Sequence, residues 1–140
     1  MLYMIHCGNH PDLPYREGQA EIIHLVADLF QTIEWAESNH KRWAFTRTNT
    51  GANIFEDYSD LEYLVDLNWS AIRSFRWSGK GIDPKIKDEK QAEFLLEERF
   101  PWHLISQIGV YDQYILETVQ KIISENSNKP KIAIKENWYY

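Results

Sequence analysis

The chain has 140 residues, 44% hydrophobic and 14% aromatic, and this size and composition suit one folded domain. Its net charge of −6 argues against a nonspecific nucleic-acid binder, and no apolar run approaches the roughly 18 residues that a membrane helix needs. The first residues predict no signal peptide, since they hold neither a basic region nor a long apolar stretch. Cys7 is the only cysteine, which excludes an intramolecular disulfide and favours a reducing cytoplasm.

Short apolar runs and helix-capping residues predict the elements of the first half. The predicted strands are Leu2–His6, Glu21–Val26 and Trp43–Thr46. Asp28 should cap a helix that ends near Asn39, since its carboxylate can accept a hydrogen bond from the first turn. The helix should present one apolar face, made of Leu29, Ile33 and Ala36. A polar loop is expected between the third strand and residue 58.

The second half begins with two predicted helices. Ser59 and Glu62 have the spacing of a capping box, and Asn68 should cap a short helix at 69–75. A basic loop should follow, and the remaining predicted strands are Gln91–Leu96, Ile105–Tyr111 and Lys131–Ile134. Asp112 should cap a helix at 113–124, whose apolar face holds Ile115, Val119, Ile122 and Ile123. Strands and helices mix without strict βαβ alternation, so we predict an α+β fold.

In the stretch KDEKQAEFLLEERFPW, the carboxylate of Glu93 stands directly before the apolar residues of a predicted strand. In a strand, Gln91 and Glu93 would point to the same side, where an amide and a carboxylate can grip a polar substrate. The carboxylate can also accept a proton or stabilise positive charge. The alternative is a half-exposed strand end at which Glu93 pairs with Lys90 or Arg99.

Residues 73–90 are basic although the chain is acidic. This segment contains six Lys and Arg residues and three Asp and Glu residues, so its net charge is +3. Arg76 and Trp77 precede the lysines, and this mixture is typical of sites that bind single-stranded nucleic acid through phosphate contacts and base stacking. The alternative is a solvated loop that Trp77 anchors to the core.

Metal chemistry has little support in the sequence. The histidines have no ligand spacing of the kind that zinc sites use, and one cysteine adds nothing. His24 lies in an apolar run and is expected to be a hydrogen-bonded core residue. The closing aromatic residues Trp138, Tyr139 and Tyr140 are expected to be buried, with a binding platform as the alternative.

Several stretches together resemble one protein family. They are GNHPDLPYREGQAEIIHL at 8–25, WAFTRTNTGA at 43–52, DLNWSAI at 66–72, KQAEFLLEERFPWHLISQIGVYD at 90–112 and the closing KENWYY. The chain is similar over nearly all its length to the DarT family, toxins of toxin–antitoxin pairs. The resemblance implies an enzyme that takes NAD as substrate, needs no metal and attaches ADP-ribose to a base in single-stranded DNA, often thymidine. It also implies a partner antitoxin, DarG, whose macrodomain removes the modification.

The resemblance also implies roles for individual residues. Glu93 matches the family's catalytic glutamate, which would hold the nicotinamide ribose and stabilise oxocarbenium-like charge. Gln91 and Lys90 would lie beside the DNA base, and Asn49 falls where some members carry a histidine. The implied DNA-contacting residues are Leu2, Tyr3, Asn49, Arg76, Trp77, Lys87, Lys90 and Gln91.

One departure from the family follows from the same comparison. Members carry several tens of residues before the position that matches Met1, including a first core strand with a histidine for NAD and a helical NAD cover with an arginine. Residues 1–140 are therefore expected to be the C-terminal portion of the family's mixed-sheet ADP-ribosyltransferase-like domain. Alone they should bind NAD weakly, since each polar group left unpaired costs about 1–3 kcal/mol, and should expose a sheet edge.

Three functions remain open at this point. The first is a single-stranded DNA ADP-ribosyltransferase with Glu93 as the catalytic residue. The second is an N-terminally truncated, non-catalytic module that binds single-stranded DNA or the antitoxin. The third is an unrelated α+β structural domain in which Glu93 is a surface residue.

Overall fold

The computed structural model describes residues 2–8, 13–51 and 56–140, and for Leu2 it describes the backbone alone. These residues form two compact units. The first unit combines Met1–Thr32 with Pro101–Tyr140, and the second unit is Ile33–Phe100. None of the helices in the described part of the chain has the length and apolar character that crossing a membrane would require.

The first unit contains a three-stranded sheet with β5 (Ile105–Val110) at its centre. On one side β1 (His24–Ala27) pairs with β5 antiparallel, and on the other β6 (Lys131–Ile134) pairs with it parallel. Parallel neighbours need a long crossover rather than a tight turn. Helix α5 (Gln113–Ile122) provides this crossover, and Asp112 caps it by accepting a 2.9 Å hydrogen bond from the Ile115 N–H.

The apolar stripe of α5 packs against β5. The buried cluster consists of Ile105, Ile108, Val110, Ile115, Val119 and Ile123. The prediction that Ile122 shares this face is wrong, since its side chain is 71% exposed. The contact stripe follows the four-residue spacing of Ile115, Val119 and Ile123, so Ile122 falls outside it.

The first predicted strand is also wrong, because residues Leu2–Cys7 form helix α1. The N–H of Gly8 closes the last turn by donating to the carbonyls of Met4 and Ile5 at 3.1 Å each. Gly8 has a φ of 67°, the left-handed conformation in which glycine commonly ends a helix. Among the described side chains of this helix, that of Ile5 is buried, at 8% exposure.

The closing aromatic residues pack only in part. Trp138 and Tyr139 are half-buried, as expected, whereas Tyr140 is 45% exposed. The Tyr139 hydroxyl donates to the carbonyl of Ile22 at 2.5 Å, and the Trp138 ring lies directly over Gly109. The expected burial of these rings is therefore partial for Trp138 and Tyr139 and wrong for Tyr140.

The His24 ring packs against two aromatic rings. Its ring meets Trp138 and Tyr139 edge to face, with centroids 5.6 and 4.9 Å apart. Its Nε2 atom is buried, and none of the described residues forms a hydrogen bond with it. The expectation of a hydrogen-bonded core histidine is wrong for this nitrogen.

Helix α2 (Leu29–Ser38) begins in the first unit and ends in the second. The Asp28 carboxylate caps it as predicted, accepting a 2.9 Å hydrogen bond from the Gln31 N–H. Ile33 and Ala36 are buried, at 3% and 0% exposure.

The second unit contains a three-stranded antiparallel sheet with β2 (Trp43–Thr46) between β3 (Asp57–Tyr58) and β4 (Phe94–Leu96). Phe45 lies opposite Phe94 on one neighbour and opposite Tyr58 on the other. The Phe45 ring stacks on the Tyr58 ring at 5.8 Å and is 3% exposed. Aromatic and β-branched residues at these positions suit a pleated, half-buried surface, which explains why β2 was predicted correctly.

The helices of the second unit are shorter than predicted, and one was missed. Residues Leu61–Asp66 form a 3-10 helix that Asp60, rather than Ser59, caps. Asn68 caps α3 (Trp69–Arg73) as predicted. The expected basic loop instead contains α4 (Pro84–Glu89), which has Asp83 as its cap and proline in its first turn. This pairing of cap and proline is a known start signal for a helix.

The strand predicted at Gln91–Leu96 begins only at Phe94. The N–H groups of Lys90, Gln91 and Ala92 donate backward to residues of α4, with distances of 2.9 to 3.2 Å. Their backbone thus continues the helical turn and is not available to a sheet. The two units nevertheless mix strands and helices without strict alternation, which confirms the predicted α+β class.

Candidate functional site

The Glu93 backbone is fixed to the last residue of β2. Its N–H donates to the Thr46 hydroxyl at 3.1 Å, and its carbonyl accepts a 2.8 Å hydrogen bond from the Thr46 N–H. Thr46 is fully buried, and its hydroxyl donates to the Thr48 carbonyl at 2.6 Å. Glu93 is therefore held at the end of the sheet, and its side chain contacts the loop that follows β2.

The Glu93 carboxylate is half-buried and bound through one of its two oxygens. Oε2 accepts hydrogen bonds from the Thr50 N–H at 3.0 Å and from the Thr50 hydroxyl at 2.6 Å. Among the described residues, none donates to Oε1. The surface-residue alternative, with Glu93 paired to Lys90 or Arg99, does not occur, since the Glu93 partner is Thr50.

Gln91 and Asn49 form a second pair beside this one. The Asn49 side-chain N–H donates to the Gln91 Oε1 at 3.3 Å. Asn49 Oδ1 accepts from the Gly51 N–H at 2.6 Å, and the Gln91 amide donates to the Lys87 carbonyl at 3.0 Å. The prediction that Gln91 and Glu93 share one face of a strand is wrong, because the strand begins only at Phe94. Two adjacent residues of one loop, Asn49 and Thr50, nevertheless bind them.

Lys90 lies apart from this group. Its ammonium donates to the carbonyls of Ile72 and Ser74, at 3.0 and 2.8 Å, at the end of α3. Burial lowers the pKa of Lys90 below its ordinary value, since it disfavours the charged form. The Lys90 ammonium thus binds backbone carbonyls at the end of α3, whereas Asn49 and Gln91 bind each other.

The other predicted DNA contacts are dispersed. In the second unit, Arg76 and Lys87 are exposed and Trp77 is half-buried. In the first unit, Tyr3 is 41% exposed on α1, and its ring meets that of Tyr140 edge to face at 5.2 Å. The side chain of Leu2 lies outside the described residues.

The hydrogen-bond partners of Glu93 were not predicted from the sequence. Thr46 is the last residue of a predicted strand, and Thr50 lies in the polar loop expected after it, where the resemblance assigns a role to Asn49 alone. Nothing in the run TRTNTG distinguishes the threonine that binds Glu93 from its neighbours. The sheet register decides it, since it brings residue 93 level with Thr46.

Arg47 anchors the same loop within the second unit. Its guanidinium contacts the carboxylates of Asp66 at 3.1 Å and Glu56 at 3.4 Å, and lies 5.2 Å from the centre of the Tyr58 ring. The Tyr58 hydroxyl donates to Glu56 at 2.6 Å, and this hydrogen bond to the carboxylate raises the pKa of Tyr58. These contacts hold the start of the loop that carries Asn49 and Thr50.

An open cavity of about 550 Å³ lies elsewhere in the second unit. It is lined by Lys41, Arg42, Trp43, Ala44, Asp57, Ser59, Leu95 and Glu97. None of the predicted site residues lines this cavity. Within the described residues, His, Cys, Asp and Glu side chains nowhere gather in a group of three or more that could hold a metal ion.

Comparison with known proteins identifies close relatives of this chain. A family model described as "ssDNA thymidine ADP-ribosyltransferase, DarT" matches residues 1–140. A protein of Thermus sp. (strain 2.9) named DNA ADP-ribosyl transferase is 34% identical over 145 residues. The match covers all of this chain and 63% of that relative, so the chain spans less than two thirds of its length.

Solved structures show the same similarity in three dimensions. DarT of Thermus sp. 2.9 in complex with ADP-ribosylated single-stranded DNA matches with a TM-score of 0.86 and 32% identity, over 99% of this chain and 63% of that one. The same protein in complex with NAD+ matches with a TM-score of 0.85 and 32% identity, over 99% and 66% of the two chains. Similarity of this extent shows a shared fold.

Proposed function

This chain belongs to the DarT family, and on that basis we propose that it transfers ADP-ribose from NAD to a base of single-stranded DNA. Thymidine is the base that the family description names. The shared fold is the predicted ADP-ribosyltransferase-like architecture. The observation that carries the proposal is the state of the Glu93 carboxylate. It is half-buried, the described residues bind only its Oε2 atom, and the side-chain amides of Asn49 and Gln91 lie beside it.

Glu93 has the chemistry that this transfer needs. The bond between the ribose C1′ and the nicotinamide nitrogen breaks, nicotinamide leaves with the electron pair, and positive charge develops on the ribose ring. A carboxylate can accept a hydrogen bond from a ribose hydroxyl and stabilise that charge. The base then bonds to C1′, and the proton that it loses passes to water. We assign Glu93 this role through its Oε1 atom.

The Asn49–Gln91 pair is proposed to hold the base. The Asn49 and Gln91 amides each have a second N–H available beyond the bonds described above. Gln91 Oε1 also keeps a lone pair. Donors and an acceptor this close together can bind the edge of a pyrimidine.

The exposed cations are proposed to contact the DNA backbone. Arg76 and Lys87 are exposed in the segment that carries the local charge of +3, and Trp77 adds a ring that can stack on a base. Tyr3 and Leu2 remain proposed contacts in the first unit. For Lys90 we propose an indirect role, since its ammonium binds the end of α3.

The toxin role and its partner are proposals of the same kind. Membership of the DarT family supports a toxin that acts in the cytoplasm, where single-stranded DNA arises. It also supports a DarG-like antitoxin whose macrodomain reverses the modification. Incubating modified oligonucleotide with such a macrodomain should remove the added ADP-ribose, and a modification that resists it would exclude this partner.

The test of the activity is the intact mass of a mixed-sequence single-stranded oligonucleotide after incubation with the protein and NAD. We expect a gain of one ADP-ribose unit, lost in Glu93→Ala and Glu93→Gln. Glu62→Gln is the control, because Glu62 is an exposed acid of the same unit and should keep the wild-type gain. DNA binding without a mass gain, from folded protein, would instead support the non-catalytic module.

A further inference from the structure

Thr50 makes two contacts with the residue assigned to catalysis. Its N–H and its hydroxyl both donate to the Glu93 Oε2, at 3.0 and 2.6 Å. Hydrogen bonds to a carboxylate are among the stronger ones in proteins, and two from one residue fix direction as well as position. No described residue donates to Oε1. The two oxygens of Glu93 are thus unlike each other in the protein itself.

The loop that carries Thr50 is held in place from several sides. Arg47 anchors the start of the loop to Asp66 and Glu56. The Thr48 carbonyl accepts a hydrogen bond from the hydroxyl of the buried Thr46. Asn49 reaches Gln91 next to the Glu93 contact. These contacts on both sides of Thr50 fix the position of its two donors relative to Glu93.

We propose that Thr50 is a positioning residue for the transfer reaction, which holds Oε2 of Glu93 so that Oε1 faces the substrate. This inference rests on the function proposed above. A carboxylate that rotates freely would present either oxygen in many directions. Holding one oxygen reduces the reorganisation needed when charge develops on the ribose. Thr50 touches neither the substrate nor the reacting atoms in this role.

Thr50→Val and Thr50→Ser separate this role from a general structural one. Valine keeps the shape and the backbone N–H but removes the hydroxyl donor. We expect kcat to fall about 10- to 100-fold, the range for loss of a hydrogen bond to a charged group, with little change in the KM for NAD. Serine keeps the donor and should restore most of kcat.

Thr48→Val is the matched control from the same loop. The Thr48 hydroxyl bonds to no described residue, and only its carbonyl takes part in the bracing. This variant should keep wild-type kcat. A wild-type kcat in Thr50→Val, or an equal loss in Thr48→Val, would overturn the proposal.

Amide hydrogen exchange tests the contact without any activity. In Glu93→Ala the Thr50 N–H loses its acceptor and should exchange at least several-fold faster than in the wild type. The amide of Lys90, which bonds to Ile86, should be unchanged. An unchanged rate at Thr50 would overturn the proposal even in an inactive chain, whereas an inactive wild type with the expected exchange would count against the proposed function alone.

Discussion

The Lys90 side chain is half-buried and binds two backbone carbonyls. Its ammonium satisfies two carbonyls at the end of α3, Ile72 and Ser74, where helical hydrogen bonds have run out. A cation is favourable at that end of a helix, because the carbonyl dipoles point towards it. Lys90 precedes Gln91, so the same contact fixes the chain just before the candidate site.

Replacing Lys90 by methionine should destabilise the protein. The two carbonyls would lose their donor, and we expect the free energy of unfolding to fall by roughly 1–3 kcal/mol. Urea unfolding measures it. Lys87→Met is the control, since Lys87 is exposed on α4 and its loss should change stability by less than about 0.5 kcal/mol. Equal effects in the two variants would contradict the structural role of Lys90.

His24 makes the stability of the protein depend on pH. Burial lowers its pKa below the ordinary 6.5, so the unfolded chain takes up a proton at a higher pH than the folded protein does. The free energy of unfolding should therefore decrease as pH falls through 6.5 and level off below the pKa of the folded protein. The contribution is fully present above 6.5.

Unfolding in urea at about pH 7.5 and about pH 5.5 measures this dependence. His24→Phe should reduce the loss of stability at the lower pH, since phenylalanine keeps the ring contacts and cannot be protonated. His40→Asn serves as the control, because His40 is exposed with a φ of 55° that asparagine tolerates. If His24→Phe loses as much stability as the wild type, His24 does not cause the dependence.

At the scale of elements, the Trp138 ring packs against strand β5 at Gly109, which has no side chain. A Cβ on Gly109 would lie 2.6 and 2.7 Å from two atoms of the Trp138 ring, closer than real contacts allow. Gly109 is buried in the central strand, which has a paired strand on each side, so moving this strand to make room for an added methyl group would disturb both pairings. The glycine is thus explained by packing and not by backbone conformation.

Gly109→Ala should lower the free energy of unfolding by about 1–3 kcal/mol, the usual cost of overpacking. Thermal or urea unfolding measures the change. In a Trp138→Leu background the same substitution should cost clearly less, because the ring that it meets is gone. Additive losses in the double variant would show that Trp138 is not what excludes the methyl group.

At the scale of the whole molecule, the charge is uneven. The net charge is −6, yet residues 73–90 carry +3, and Lys80, Lys85 and Lys87 are exposed there. Contacts with phosphates release counterions, so binding that depends on them weakens with salt. The acidic remainder should limit nonspecific association, because it repels nucleic acid.

Affinity for single-stranded DNA should fall with salt, with a logarithmic slope of about −0.7 for each phosphate contacted. Lys85→Gln combined with Lys87→Gln should reduce the magnitude of this slope by roughly 1.4, and weaken binding to different sequences alike. Fluorescence anisotropy over a salt series measures it. Lys121→Gln, in the first unit, should leave the slope unchanged. A wild-type slope in the double variant would place the phosphate contacts elsewhere.

Local signals predicted those features that neighbouring residues decide. The carboxylates of Asp28 and Asp112 cap their helices as expected, because a cap needs only the first turn of its own helix. Strand β2 has the predicted bounds, since its apolar run is short and sharply delimited. The family follows from motifs that stand together in the sequence, and Glu93 could be singled out from them.

Tertiary structure alone decided which residues meet. The apolar run at residues 2–6 lies in a helix with Ile5 buried, and β4 pairs with β2 only from Phe94 onward. Thr50 reaches Glu93 across 43 residues of sequence, through the antiparallel register of β2 and β4. Such contacts depend on how separate segments pair, and no local pattern of the intervening chain encodes that pairing. The sequence by itself therefore determined the family, the caps of α2, α3 and α5 and the candidate carboxylate, and the fold determined what holds that carboxylate.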